Sequence, residues 1–345
     1  MGAGAALASL TVTGTAAING GAVTTTGTQT YNDNVTLGAD TTLTSNSSGN
    51  IDFSGTVTNA ASRALIVSTG GTTTFGGAVG GGTALTSLTT IAGGTTAING
   101  GSVRTTGAQT YGSIVTSSGV TTLTSTGGGN ITANNIGNNF SGDLALSTSG
   151  IASIVDSNAL SLGTSSVGSI TAQTLTGDLT LNGAITAAGS GDSIVLASAG
   201  NFVNNVGAGA LVPGTGRWLV YTSDPATANF NGLASGNLAI WNTTFPAGTA
   251  LGGNRYLFGT TQTLTFTSGS LTKTYGDDVT ASLPTLYTVS GANTNTYGGA
   301  IVADSSVSLS SLFSGAPSVT SGGGAPTAHV AGSPYGVTVG TGTLS

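Results

Sequence analysis

An all-β chain wound as a parallel β-solenoid is what the sequence predicts, and three observations carry it. Residues that build soluble helices are nearly missing: of 345 residues none is Glu, Lys273 is the only lysine, Met1 the only methionine, and 59 are Gly. Such a composition does not sustain helices. The chain also repeats itself without gaps. Finally, short runs with period-two hydrophobicity recur between Gly, Asn and Asp, the pattern of half-buried strands.

The repeat is explicit. Ala17-Ile18-Asn19-Gly20-Gly21-Ala22-Val23 returns as Ala97-Ile98-Asn99-Gly100-Gly101-Ser102-Val103, and Gln29-Thr30-Tyr31 as Gln109-Thr110-Tyr111. Segments 17–51 and 97–131 share 22 of 35 positions at an offset of 80 residues. A shorter echo sets Gly142-Asp143-Leu144-Ala145-Leu146 against Gly177-Asp178-Leu179-Thr180-Leu181. Repetition at a fixed offset implies stacked units.

Inside the repeat, Leu10-Thr11-Val12, Val23-Thr24-Thr25, Val35-Thr36-Leu37, Thr42-Leu43-Thr44 and Asn50-Ile51-Asp52-Phe53 read as strands, with joins too short for a crossover helix. An antiparallel sandwich or barrel of hairpins is the other all-β solution. The solenoid is preferred because equal rungs return identical segments in register. A narrow coil also needs few aromatics, and Gly, Asn and Ser suit repeated tight corners. The offset then reads as about four coils of roughly 20 residues, and ten coils make a rod on the order of 50 Å long.

Composition changes sharply near 205–215. All seven prolines lie after residue 212, and fourteen of nineteen aromatics lie after residue 200, Trp218 and Trp241 among them. The expected organisation is a solenoid over 1–212, terminal coils or a cap with a connecting segment over 213–262, and a β module over 263–345.

Several function classes are excluded. Without Cys there is no disulfide framework or thiolate metal site, and His329 alone cannot build a multi-His site. Five cations against eleven Asp, a net charge of −6, cannot supply a nucleic-acid footprint. No run approaches the roughly 18 apolar residues of a membrane helix. The N-terminus lacks the cationic and apolar regions of a signal peptide. The chain is therefore expected to be cytosolic or a piece of something longer.

Particular residues then resemble a family. After the Thr/Gly/Asn-rich repeats come Arg217-Trp218-Leu219-Val220-Tyr221, Asn237-Leu238-Ala239-Ile240-Trp241-Asn242 and Gly253-Asn254-Arg255-Tyr256-Leu257-Phe258. This succession resembles the passenger region of filamentous-haemagglutinin-type exoproteins of Gram-negative bacteria. Lys273-Thr274-Tyr275-Gly276-Asp277 resembles the opening of the MBG or YDG β modules found in such adhesins. The resemblance implies a right-handed parallel β-helix followed by a small β-sandwich-like module. It also implies export through an outer-membrane secretion pore, and display at the cell surface toward a glycan or protein surface. The absence of Cys agrees with threading an unfolded chain through such a pore. The family's N-terminal signal and secretion domain are not in this sequence, and the chain ends inside what resembles a module, so a fragment is expected.

No catalytic, metal or cofactor site is expected. Asp143 and Asp178 could align on one face as a carboxyl pair, but their Gly-Asp-Leu-x-Leu setting favours turns. A polysaccharide-binding or polysaccharide-cleaving β-helix is the alternative function. His329 has no local partner and reads as a loop histidine. Asp277-Asp278 reads as a solvated turn over a weak Ca²⁺ site, and Gly189-Ser190-Gly191-Asp192 as a turn over a calcium nonapeptide. Gly80 to Gly82 and Gly127 to Gly129 read as corners, since they lack the Lys and following helix of a phosphate loop. Trp218, Tyr221, Trp241, Tyr256 and Phe258 are expected to plug the solenoid end, in preference to forming a glycan platform. Thr24-Thr25-Thr26, Thr72-Thr73-Thr74 and Thr121-Thr122 raise the idea of Thr rows that bind ice or a polysaccharide. Their irregular spacing argues against an ice lattice.

Overall fold

The computed structural model describes residues 1–345 except 3, 92, 238, 262, 292–295, 298–299 and 302–312. From Leu10 to Phe258 the chain winds as a parallel β-solenoid of about ten turns. Each turn carries up to three short strands, so three ladders run along the rod.

Face 1 stacks Leu10–Val12, Gln29–Tyr31, Ile51–Phe53, Thr72–Phe75, Thr95–Ile98, Ile114–Ser117 and Asn139–Phe140. It resumes through Leu160–Leu162, Leu179–Leu181 and Phe202–Asn204. Face 2 stacks Ala16–Ile18, Val35–Leu37 and Val57–Asn59, then runs through Val79 to Ser102–Thr105 and Thr121–Ser125. Face 3 holds Ala22–Thr25, Thr41–Ser45, Ala64–Thr69, Ser87–Thr90, Gln109–Tyr111 and Ile131–Ala133. It ends with Asp192–Ala197, Arg217–Thr222 and Arg255–Phe258. Among the described residues, the first antiparallel pair begins at Thr265.

The period-two runs explain the core. In Val35–Leu37 the two ends point inward and are fully buried, while Thr36 faces out. Leu43, Ile51, Phe53, Val57, Leu65 and Leu123 fill the same lumen. Each such side chain contributes roughly 1.5–3 kcal/mol by leaving water. On face 1 the rings of Tyr31, Phe53 and Phe75 form a column.

 The centroids of Tyr31 and Phe53 lie 5.2 Å apart and those of Phe53 and Phe75 5.4 Å apart, with planes 9° from parallel in both pairs.

The repeat does not span whole coils. Gln29 and Ile51 stand on face 1, but their equivalents Gln109 and Ile131 stand on face 3. Val23 stands on face 3 and Val103 on face 2, while Ile18 stands on face 2 and Ile98 on face 1. Three turns plus two faces separate the copies, so a coil averages about 22 residues instead of the expected 20. The faces are interchangeable because all carry the same in-out alternation.

The local chemistry is nevertheless copied. The amide of Gln29 donates to Val23 O at 3.3 Å, Thr25 Oγ1 at 3.3 Å and Thr44 O at 2.9 Å, and its Oε1 accepts from the Tyr31 hydroxyl at 3.1 Å. Gln109 repeats the set with Val103, Thr105, Thr124 and Tyr111. This network satisfies a polar side chain inside an apolar lumen, where an unpaired amide is costly. Burial pushes the Tyr31 phenol up to about 12 and that of Tyr111 up as well.

Corners depend on glycine in two ways. Gly21 and Gly101 are equivalents with φ of +72° and +71°, a left-handed turn that favours Gly. Gly100 fits by sterics instead: a Cβ there would sit 2.1 Å from the backbone C and O of Gly77 in the preceding coil.

The C-terminal end is plugged. Trp218, Phe230, Tyr256 and Phe258 are buried, with Phe230 and Tyr256 centroids 4.4 Å apart and Trp218 and Tyr256 4.9 Å apart. The Tyr256 hydroxyl donates to Leu233 O at 2.5 Å. Here the outer side of face 3 turns apolar: Val195, Ala197, Leu219, Tyr221 and Leu257 pack against Ile240 and Phe245 of the covering segment. Beyond residue 262, Thr265–Ser268 pairs with Tyr287–Ser290, Thr296–Tyr297 with Ala300–Ile301, and Ser318–Ser321 with Val337–Gly340, all antiparallel.

Candidate functional site

The structure does not bring the two carboxylates of the sequence echo onto one face. Asp143 opens a face 2 segment and Asp178 a face 1 segment, because the echo of 35 residues, like the long repeat, is two faces beyond a whole number of turns. Asp143 Oδ1 accepts from Asn182 Nδ2 at 2.7 Å, and Asp178 Oδ1 accepts the Asn201 amide at 2.7 Å. Both carboxylates serve the coil. Among the described residues no group of three or more His, Cys, Asp or Glu is placed to hold a metal.

Asp192, in the calcium-like stretch, forms an ion pair with Arg217. Arg217 also donates Nη2 to Thr249 O at 2.9 Å and Nη1 to Leu251 O, clamping the covering segment to the rod. Asp278 accepts from the Thr280 hydroxyl at 2.7 Å and its amide at 3.0 Å, and these bonds hold its carboxyl below the usual range. Lys273 donates to Asp277 O at 2.9 Å and to Ala325 O, so the Lys-Thr-Tyr-Gly-Asp segment closes on itself. His329 faces the groove beside Tyr335, whose hydroxyl donates to the His329 carbonyl at 2.7 Å.

The aromatic set is a plug. Trp218, Tyr256 and Phe258 are buried in the lumen, Tyr221 is buried under the covering segment with its hydroxyl on Ala247 O at 3.0 Å, and Trp241 packs on Phe258. Of the set, Trp218, Tyr221, Tyr256 and Phe258 are buried and Trp241 is half-buried.

Thr rows exist, but not where the Thr triplets suggest. Strand alternation sends Thr25, Thr73 and Thr121 inward, so each triplet presents only alternate members. The outward column on face 3 is Thr42, Ile66, Thr89, Thr110, Thr132, Ser153 and Thr171, in register rung by rung. Its neighbouring column contains Ser68, Val155 and Gln173, so the face is not a uniform lattice.

The sequence offered no sign of Asp156. It is fully buried, with Oδ2 accepting the Phe140 amide at 2.8 Å and Oδ1 the Asn158 amide at 2.9 Å. Burial raises its pKa, outweighing these two bonds, which lower it. The folded state thus keeps this proton to a higher pH than the unfolded chain does. Its stabilising contribution is complete below the unfolded pKa and is lost as pH rises through the folded value. Asp156→Asn is expected to flatten that fall, seen as a smaller drop in urea midpoint between pH 4 and pH 7 than in the parent chain.

Among the described residues no helix is long and apolar enough to cross a membrane. Comparison of the chain with family models, curated proteins and solved structures finds no match in any of the three.

Proposed function

We propose that the chain is a non-catalytic stalk and adhesion segment of a large secreted or cell-surface exoprotein of the filamentous-haemagglutinin type. In this reading 213–262 closes the rod and 263–345 is an MBG/YDG-like module. The protein leaves through an outer-membrane pore and meets a glycan or protein surface outside the cell. The observation that carries the reading is the repetitive exterior: over about ten turns the outward strand positions are mostly Thr, Ser and Ala around a continuous apolar lumen. Length and repeated surface are what such a rod offers, and stacked coils deliver both.

The test is an array of neutral glycans, acidic glycans and matrix proteins probed with the fluorescent chain, alongside an assay for new reducing ends. Binding to a defined subset with no new ends is expected. A blank array would remove the adhesion role, and released ends would replace it with glycan cleavage.

A further inference from the structure

We propose that the corner formed by Arg63, Arg104 and the loop 80–83 binds the carboxylates of an acidic polysaccharide; the proposal rests on the adhesion reading above and names the class of surface it meets. Arg63 precedes the face 3 strand Ala64–Thr69, and Arg104 lies outward in Ser102–Thr105, two coils further on. The coil between ties them together. The Leu85 amide donates to Arg104 O at 3.1 Å and the next amide, Thr86, donates to Arg63 O at 2.8 Å. The two arginines thus sit two rungs apart at one corner, roughly 10 Å of backbone separation.

Among the described residues neither arginine has a carboxylate within ion-pair distance. The ion pair found among the described residues is Arg217 with Asp192. Asp40, one coil before Arg63, gives Oδ1 to the Ala64 amide at 3.0 Å and forms no ion pair with Arg63. Nε of Arg63 is buried without a partner, as is Oδ1 of Asn59 at the same corner. In a chain of five cations and net charge −6, two guanidiniums with no ion pair among the described residues share one corner.

The loop between them adds donors. Gly80 has φ of +70° and turns the chain outward. The carbonyl of Gly82 accepts from Arg104 Nη1 at 3.3 Å and that of Thr83 from Asn59 Nδ2 at 2.8 Å. The amides of Gly81 and Gly82 donate to no described residue. Open successive amides beside cations favour an anion. The guanidinium fork matches a planar carboxylate in two parallel bonds. A polyuronate, with a carboxylate on each sugar, meets both forks at once, whereas a single ion meets one.

The test uses the full chain and labelled trigalacturonate in fluorescence anisotropy at low salt, with maltotriose and galacturonate monomer as comparison probes. Trigalacturonate is expected to bind, maltotriose not to bind, and the monomer to bind far more weakly; added salt should weaken the complex. Arg63→Gln with Arg104→Gln should reduce affinity about tenfold or more, Arg104→Gln alone should reduce it in part, and Lys273→Gln should leave it unchanged. Because Arg104 is exposed, its single variant keeps the test valid should the double variant fold poorly. Absence of trigalacturonate binding, equal binding by the monomer, or unchanged affinity in Arg104→Gln would overturn the assignment. Array binding that survives these variants would remove this corner while leaving the adhesion role intact.

Discussion

Phe53→Ala is expected to lower the stability of the solenoid by about 3–5 kcal/mol. The ring is fully buried and stacks on Tyr31 below and Phe75 above. Its removal forfeits burial and two ring contacts together. The cavity cannot close, because strand pairing on both sides fixes the backbone: Gln29↔Ile51 and Ile51↔Thr73 hold the rungs in register. Urea unfolding followed by circular dichroism measures the loss, with Thr30→Ala on the outward side of the same face as a control expected within about 0.5 kcal/mol. A loss below about 1 kcal/mol for Phe53→Ala would mean that this column is loosely packed.

Gly100→Ala is expected to cost at least about 3 kcal/mol, at the upper end for overpacking. The added methyl would meet the Gly77 backbone, which has no rotamer with which to yield. Moving the corner also strains the bond from the Gly100 amide to Phe75 O, now 2.9 Å. Its repeat equivalent supplies the control. Gly20 occupies the same sequence context, but nothing lies within 4 Å of its Cβ position. Gly20→Ala should therefore be neutral or slightly stabilising, by about 0.4–1 kcal/mol. Equal effects at the two positions would show that sequence context, and not the coil below, sets the demand for glycine.

The strands and the stacked order were legible because period two and self-similarity are local signals. Val35-Thr36-Leu37 and Thr41–Ser45 announce their buried members directly. The aromatic plug was legible for the same reason, since bulky rings gather where a lumen must be closed. Coil length was not. An offset counts whole turns only if copies return to the same face, and Gln29 and Gln109 do not. The Thr triplets misled because alternation divides them between lumen and solvent. Asp156 has nothing in its sequence setting to distinguish it from the other scattered Asp residues, and only contact with Phe140 in the preceding coil reveals its burial. Arg63 and Arg104, 41 residues apart, meet through a coil whose length had to be known first.

That mismatch between copy and turn matters when the gene changes length. Recombination that drops or doubles one copy of 80 residues joins segments that share 22 of 35 positions, the Gln29 and Gln109 networks among what they share. The rod would shorten or lengthen by about 18 Å, and everything past the seam would swivel by a third of a revolution. Length variation in such a lineage would therefore also re-aim the far end, giving variants that differ in bearing as well as reach.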